Sequence, residues 1–477
     1  MIPLVTPAEM GAADARTIAA GTPEPELMER AGRAVAWRAR RVLGGTYGRR
    51  VVVICGKGNN GGDGVIAAAA LRAWGVGVDV LHLEDGVSAD RLARLLARAD
   101  LAVDAMFGTG FRGTLTGTAR AVADATAAAA VTVLAVDIPS GVDGLTGEVR
   151  GPAVRADHTV TFAAPKPGLY FQPGRALAGA VHVADIGIDV GDDPLRTAVV
   201  EDADVAAWVP PRATTTHKWR SGVLVVGGSG GMTGAPMLAA HAASHLGAGI
   251  VIAAMPGAAA AHASGTEVIT HAMPADASGG ITRAAVPELT PDLDRFGAVV
   301  VGPGLGRSDE IAATVAALAR VVPGPLVLDA DALVASGTDL GPVRDRSAPT
   351  ILTPHDGEFE RLTGARPGPD RIDAARTLAA RAGAVVLLKG PTTVVAAPDG
   401  RVRVNPTGTA DLATAGSGDV LSGMIAAFCA QGVEPLEAAA AAAFVHGRAA
   451  ESAGHTGFVA TDLPALAGVA LRRISPR

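Results

Sequence analysis

Two cysteines in 477 residues, Cys55 and Cys429, leave no disulfide framework and no cysteine metal cluster to build. They are far apart in apolar surroundings and read as small buried hydrophobes. Aromatic residues are only 3% of the chain, and the net charge of −6 carries no basic excess. No basic patch with interleaved aromatics is present, which argues against a nucleic-acid partner. A basic segment leading into an apolar core is missing at the N-terminus, so no signal peptide is expected. The Ala-rich run 125–130 is too short to span a bilayer. The expectation is a cytoplasmic protein with no membrane partner. No G-x-x-x-x-G-K-[ST] phosphate loop occurs either.

What is abundant is alanine and glycine within a 49% hydrophobic, 18% charged chain. Small residues allow helices to pack closely on sheets, and the length exceeds what one hydrophobic core normally serves. Residues 13–43 have helical periodicity, with Leu27, Met28, Ala31, Val35 and Ala36 on one stripe. Continuous apolar runs at 50–55, 76–83, 101–106, 131–137 and 157–162 read as strands buried on both faces, and 65–74 as a helix. The Pro- and Thr-rich stretch 209–218 interrupts the pattern, after which strand and helix signals alternate again. The reading is two different α/β domains, 1–210 and 211–477, the first a Rossmann-like doubly wound sheet.

Three loops in the first half follow predicted strands. The run from Gly56 to Gly64 includes Asn59, Asn60, Gly61, Gly62 and Asp63; its glycines suit close approach of backbone amides to a phosphate at a helix start. The second loop runs Gly108, Thr109, Gly110, Phe111, Arg112, Gly113, a literal G-x-G-x-x-G that carries little weight in so glycine-rich a chain. The third holds Asp137 and Ser140. Asn60, Asp104, Asp137 and Ser140 are expected to converge at the carboxyl edge of the sheet, where oxygen-rich side chains bind a hard cation or orient a hydroxyl. Asp143 reads as a cap. Lys166, between two prolines, is as readily a site residue as a solvated lysine.

In the second half, Gly302–Gly306, Thr353–Glu358 and Lys389–Thr393 each follow a predicted strand. The run Thr414–Gly423 opens a helix. The amides of Gly416, Ser417 and Gly418 form a natural anion hole for a phosphoryl group, and Asp419 is placed to take a proton from an attacking hydroxyl. A lone His355 beside Asp356 and Glu358 reads as substrate contact or loop packing rather than as a metal ligand.

These motifs together resemble a known family. LMERAG (27–32), GNNGGDG (58–64), DAMFGTG (104–110), DIPSGVDGLTGE (137–148) and AAPKPG resemble NAD(P)H-hydrate epimerases. HKWRSGVLVVGGSGGMTGA (217–235), LGAGIV (246–251), GPGLG, LDADAL, LTPHDGEF, LLKGPTT and AGSGDVLSG resemble ribokinase-like ADP/ATP-dependent NAD(P)H-hydrate dehydratases. The resemblance implies a ribokinase-like second domain and repair of hydrated NADH and NADPH (NADHX and NADPHX). The R and S hydrates would be interconverted, and the S form dehydrated at the expense of ADP on Mg2+, giving AMP and phosphate. It further implies that residues 59–63 and 108–114, through Thr114, bind the dinucleotide, with Asp137 at the reacting end and Lys166 a second catalytic candidate. Asn60, Asp104 and Ser140 would hold K+. Ala248, Gly306, His355 and Asp419 would contact the hydrate, and Lys389, Gly390, Pro391, Thr392, Thr393 and Gly418 the nucleotide. The chain departs from the family pattern at Thr407–Leu412 and at Ala415. A ribokinase-like small-molecule kinase fused to a dinucleotide-binding module is the alternative reading, and a homo-oligomer is expected.

Overall fold

The computed structural model describes residues 1–191, 193, 195–262, 267–454 and 457–475. It divides into two compact units, Ile2–Leu195 and Arg196–Arg477 with Met1. The division falls ahead of the expected 210/211 boundary. A strand at Thr197–Val199 and a helix at Asp202–Trp208, both ahead of the Pro-rich break, belong to the second unit.

The first unit is a six-stranded, wholly parallel sheet. Its strands are β1 (Arg50–Cys55), β2 (Gly77–His82), β3 (Leu101–Ala105), β4 (Thr132–Val136), β5 (His158–Phe162) and β6 (Ala180–Ala184). Their order is β2-β1-β3-β4-β5-β6. The expected helix 13–43 is two helices, α1 (Pro7–Ala19) and α2 (Glu24–Leu43). Thr6 and Glu9 close a capping box at the start of α1, while Gly21 at φ +110° and Pro23 break the run before α2. Helix α3 (Asn59–Ala73) starts earlier than the apolar pattern suggests and takes the glycine loop into its first turn. A Cβ at Gly61 would run into the Gly56 carbonyl, so only glycine lets the helix start this close to its strand. Val35, Ala36 and Ala39 of α2 pack with Ala67, Ala68 and Leu71 of α3 over β1. On the other sheet face, α4 (Ala89–Leu96) and α5 (Gly117–Ala128) supply Leu92, Leu96, Ala119 and Val122.

The second unit begins with β7 (Thr197–Val199) and α6 (Asp202–Trp208). Its further strands are β8 (Gly222–Val226), β9 (Ile250–Pro256), β10 (Ile269–Met273), β11 (Ala298–Val301), β12 (Leu326–Leu328), β13 (Thr350–Leu352), β14 (Val385–Leu388), β15 (Thr393–Ala396) and β16 (Val402–Asn405). The order is β7-β16-β15-β14-β13-β12-β11-β8-β9-β10. The strands from β14 through β10 are parallel; β15 is antiparallel to both neighbours, and β7 runs parallel to β16. This β7–β16 pairing ties residues 197–199 to the second unit. The helices that matter for the site are α7 (Gly234–His245), α8 (Asp309–Val321), α9 (Asp331–Ser336), α10 (Asp356–Thr363), α11 (Arg371–Ala382), α12 (Ser417–Ala430), α13 (Pro435–Ala453) and α14 (Leu463–Ile474). Helix α12 is buried all round, with Val420, Met424, Ile425 and Phe428 in the core. No helix of the described residues is long and apolar enough to cross a membrane.

Candidate functional site

In the first unit the loops after β1, β3, β4 and β5 meet at the carboxyl edge of the sheet and, with α1 and α2, enclose a cavity of about 520 Å3. Asp137 ends β4 in the left-handed region, φ +66°, a conformation that costs a non-glycine residue roughly 1–3 kcal/mol. Its carboxylate is fully engaged. Oδ1 accepts from Lys166 Nζ at 2.7 Å and Thr161 Oγ1 at 3.1 Å, and Oδ2 from the Thr109 amide at 2.9 Å. Burial would raise this carboxyl, but the Lys166 charge and these hydrogen bonds outweigh it and hold Asp137 below the usual range. Lys166 is 1% exposed and also donates to Thr161 Oγ1 and the Phe162 carbonyl. It is the buried partner of Asp137, not a solvated lysine.

Asp63 has the opposite environment. Burial pushes it up to about 8, and the charges of Asp137 and Asp14 add to the effect. One cavity thus holds a carboxyl kept below the usual range and another pushed well above it.

Asn59, Asn60, Asp63, Gly108, Thr109, Gly110 and Phe111 line the cavity with Asp137 and Lys166. The remaining expected contacts do not. Gly61 packs on Gly56, and a Cβ at Gly62 would meet Met28 Sδ at 2.6 Å. Arg112 turns back onto the carbonyls of Thr109 and Phe111, Gly113 makes a turn at φ +96°, and Thr114 bonds the Arg150 carbonyl. Asp143 caps its own loop through the amides of Leu145 and Thr146. Asp104 and Ser140 are joined at 2.7 Å, and Ser140 Oγ accepts from the Phe107 amide. Asn60 Oδ1 lies beside Gly108, within 3.2 Å of where its Cβ would stand, while Asn60 Nδ2 has no partner. Burial pushes Asp104 up to about 6 against the hydrogen bonds from Ser140 and Met106, and no cationic side chain pairs with it among the described residues. Thr161 and Asp14 escaped the sequence reading, because neither is part of a glycine loop.

In the second unit the carboxyl ends of β12, β13 and β14 bring Asp329, Glu358 and Lys389 together. Lys389 Nζ lies 2.9 Å from Asp329 Oδ1 and 3.6 Å from Glu358 Oε2, and Thr353 Oγ1 donates to the same Asp329 oxygen at 2.7 Å. Burial would lower the Lys389 ammonium, but Asp329 and Glu358 outweigh it and raise it. Gly418 borders Lys389: a Cβ there would stand 3.3 Å from Nζ. The next residue, Asp419, is pushed up to about 7 by burial and by the charge of Asp329, with Lys389 acting against them. Gly416 takes φ +93° ahead of α12, and the first-turn amides of Gly418 and Asp419 have no intrahelical acceptor. The Ser417 amide already bonds the Thr414 carbonyl at 3.3 Å.

Beside this centre is a cavity of about 490 Å3 lined by Arg307, Asp331, His355, Glu358, Arg361 and Arg366, among others. His355 caps α10, its Nδ1 accepting from the Gly357 amide, with Nε2 3.5 Å from Glu358 Oε1. Gly306 gives its amide to Asp331 Oδ2. Arg371 binds both Asp356 and the Lys389 carbonyl, bracing Gly390. Pro391 is exposed, Thr392 is buried, and Thr393 starts β15. The departing loop is internally braced: Thr407 bonds Asn405, and Thr409 bonds Asp411.

Ala248 is a correction. It precedes β9 at the amino end of the sheet, where neighbouring Gly249 bonds Ser221, so it stands at the opposite edge from Lys389 and Asp419. Ala235, in the first turn of α7 and packed near Gly304, is on the correct edge. Asp329, Asp331 and His446 also went unselected. Asp329 had a usable signal, an acid ending an apolar strand just as Asp104 and Asp137 do.

Two family models match the chain. One described as NAD(P)H-hydrate dehydratase covers residues 223–472, and one described as YjeF-related protein N-terminus covers 24–99 and 85–168. The bifunctional NAD(P)H-hydrate repair enzyme Nnr of Moorella thermoacetica is 40% identical, over 96% of this chain and 95% of that protein. The chain belongs to the bifunctional NAD(P)H-hydrate repair enzyme family. Its namesake in Salinibacter ruber is 40% identical over 97% of this chain and 94% of its own length. For the second half, the ADP/ATP-dependent NAD(P)H-hydrate dehydratase from Bacillus subtilis, crystallised with ATP and Mg2+, is 28% identical. It matches 57% of this chain and 97% of its own length, with a TM-score of 0.50. The fold is α/β throughout, with a ribokinase-like second unit.

Proposed function

We propose that this protein repairs hydrated NADH and NADPH: the first unit epimerises the R and S hydrates, and the second dehydrates the S form at the expense of ADP. The observation that carries the reading is Asp419, Gly418 and Lys389 at one sheet edge, in a chain whose family pairs that centre with an epimerase.

In the second unit Asp419 acts as the base. It takes the proton of the ring hydroxyl, whose oxygen attacks the terminal phosphoryl of ADP; the bond to AMP breaks. The Gly418 and Asp419 amides and the Lys389 ammonium receive the developing negative charge. Elimination then breaks the ring C–O bond, a neighbouring ring proton is lost, and phosphate leaves with the dihydropyridine restored. A value near 7 suits a base that works at neutral pH. Mg2+ fits as a companion of the nucleotide: no group of three acidic or histidine side chains among the described residues would cage it, and Mg2+ commonly relies on phosphates and water. When bound it neutralises phosphoryl charge.

In the first unit, Asp63, kept neutral, gives a proton to the hydrate hydroxyl; the ring C–O bond breaks with help from the ring nitrogen's electron pair, and water leaves. Asp137, kept ionised by Lys166, takes a proton from the water that adds back on the opposite face, and that proton returns to Asp63 through solvent. Two carboxyls pushed apart in this way are what reversible loss and return of water require. The oxygens of Asn60, Asp104 and Ser140 fit K+, whose charge would offset the buried Asp104 carboxylate.

The test is recovery of dihydronicotinamide absorbance from mixed NADPH hydrates with ADP. Wild type is expected to convert both epimers, and Asp137→Ala to slow once the S form is consumed. No ADP-dependent recovery by wild type would overturn the dehydratase reading, and unslowed recovery by Asp137→Ala would overturn the role of Asp137.

A further inference from the structure

Helix α13 carries one imidazole inside an apolar stretch: His446 is 6% exposed and follows the buried Phe444 and Val445. Its Nε2 lies 3.1 Å from the Ser417 carbonyl oxygen. A carbonyl only accepts, so Nε2 carries the proton. Burial pushes the ring down to about 4 against this hydrogen bond, and the Lys389 charge acts in the same direction as burial. The donor is therefore a neutral ring at physiological pH.

The ring is held in place by its neighbours. A Cβ at Gly447 would run into Thr407 Oγ1, so glycine lets α13 touch that loop. Thr407 Oγ1 bonds the Phe444 carbonyl and Asn405 Oδ1, each at 2.9 Å, and Asn405 Nδ2 bonds the Ala443 carbonyl at 3.0 Å. Ala443 and Phe444, just ahead of His446, and the loop after β16 are thus locked together.

The carbonyl that His446 reaches belongs to the peptide joining Ser417 to Gly418. In a planar trans peptide the C=O and N–H point in opposite directions, so the Gly418 amide is aimed away from His446, out of the first turn of α12. A hydrogen bond accepted by the carbonyl polarises the peptide and strengthens its N–H as a donor.

We infer that His446 is a positioning residue for phosphoryl transfer: its Nε2–H fixes and polarises the Ser417–Gly418 peptide, whose amide meets the transferring group. The inference rests on reading the second unit as an ADP-dependent dehydratase.

The experiment compares His446→Leu and His446→Gln with wild type in the full-length chain, using thermal melts to report folding. In His446→Leu, kcat for ADP-dependent dehydration is expected to fall about tenfold, a fraction of what losing a whole oxyanion-hole donor costs, with KM for ADP within about twofold. His446→Gln, whose side-chain amide restores a donor, is expected to recover most of that loss. Orthovanadate affinity in the presence of AMP, read by calorimetry, is expected to weaken about tenfold in His446→Leu and to recover in His446→Gln. Unchanged kcat and vanadate affinity in a folded His446→Leu would overturn the inference, as would a glutamine variant as impaired as the leucine one. The vanadate arm needs no hydrate, so it decides the role of His446 even if wild type fails to dehydrate.

Discussion

Lys166 Nζ stands 2.7 Å from Asp137 Oδ1, with the two side chains 1% and 11% exposed. A pair this buried has given up most of its hydration, and each charge is tolerable only because of the other. Removing one partner is therefore expected to cost more than removing both. Lys166→Met should destabilise the protein by about 3–5 kcal/mol and raise the Asp137 carboxyl. Lys166→Met with Asp137→Leu should return part of that loss while epimerisation stays absent. Urea unfolding of the three proteins checks the order.

Asp419, pushed up to about 7, gives the dehydration step a pH signature. A base must be ionised to accept a proton, so kcat/KM should rise with pH and level off above about 7. Asp419→Asn should lose on the order of 10²–10⁴ in rate, and its residual activity should lack that rising limb. The profile is measured with ADP-dependent recovery of dihydronicotinamide absorbance.

Parallel strands were legible as apolar runs because a sheet covered on both faces leaves no alternation to blur them. β6, β7, β10, β15 and β16 were not: Ala180–Ala184 and Ile269–Met273 are largely open to solvent, Thr197–Val199 is only three residues long, and β15 and β16 form an antiparallel pair of four residues each, the first starting inside a loop motif. At the sites, loops rich in glycine declared themselves. Residues that act through burial did not: Thr161 lies within a strand, and His446 lies in an alanine-rich, almost wholly buried helix. Ala248 was misplaced because its role came from the family resemblance of LGAGIV, a segment that here enters a strand instead of leaving one. Periodicity gives the element, but only the strand direction tells which end faces the substrate.

Gly423 lies where α12 meets α7, and a Cβ there would run into the Ala239 carbonyl. Backbone cannot yield as a side-chain tip can. Gly423→Ala should therefore destabilise the second unit by about 1–3 kcal/mol through overpacking, despite the better helix propensity of alanine. Because α12 presents Gly418 and Asp419, dehydration should weaken in step with stability, as denaturation midpoints and rates on the same preparation would report.

Asp63 makes stability fall as pH rises. Its carboxyl moves from an ordinary 3.8 to about 8 in the fold, so the native state holds a proton that the unfolded chain has released. The contribution is complete below about 3.8 and is lost progressively up to about 8, at no more than about 1.4 kcal/mol per pH unit. Asp63→Asn keeps a neutral side chain of the same shape and should flatten melting temperature against pH across that window. A variant whose pH dependence matched wild type would place the proton elsewhere.

The buried Asp104 carboxylate ties the epimerase site to a cation. With the Ser140 hydroxyl on Oδ1, the Ser140 amide on Oδ2 and no basic partner among the described residues, it is pushed up to about 6 by burial. K+ beside it would favour the ionised form, so added K+ should raise the melting temperature at pH 7 more than an equal concentration of a bulky organic cation. Asp104→Asn removes the charge that draws the ion in, and should abolish the K+ increment while leaving ADP-dependent dehydration of purified S hydrate within about twofold. Equal increments from K+ and the organic cation in wild type would reject the site. The argument rests on charge balance: a buried anion that no lysine or arginine reaches takes its counter-charge from solution or else a proton.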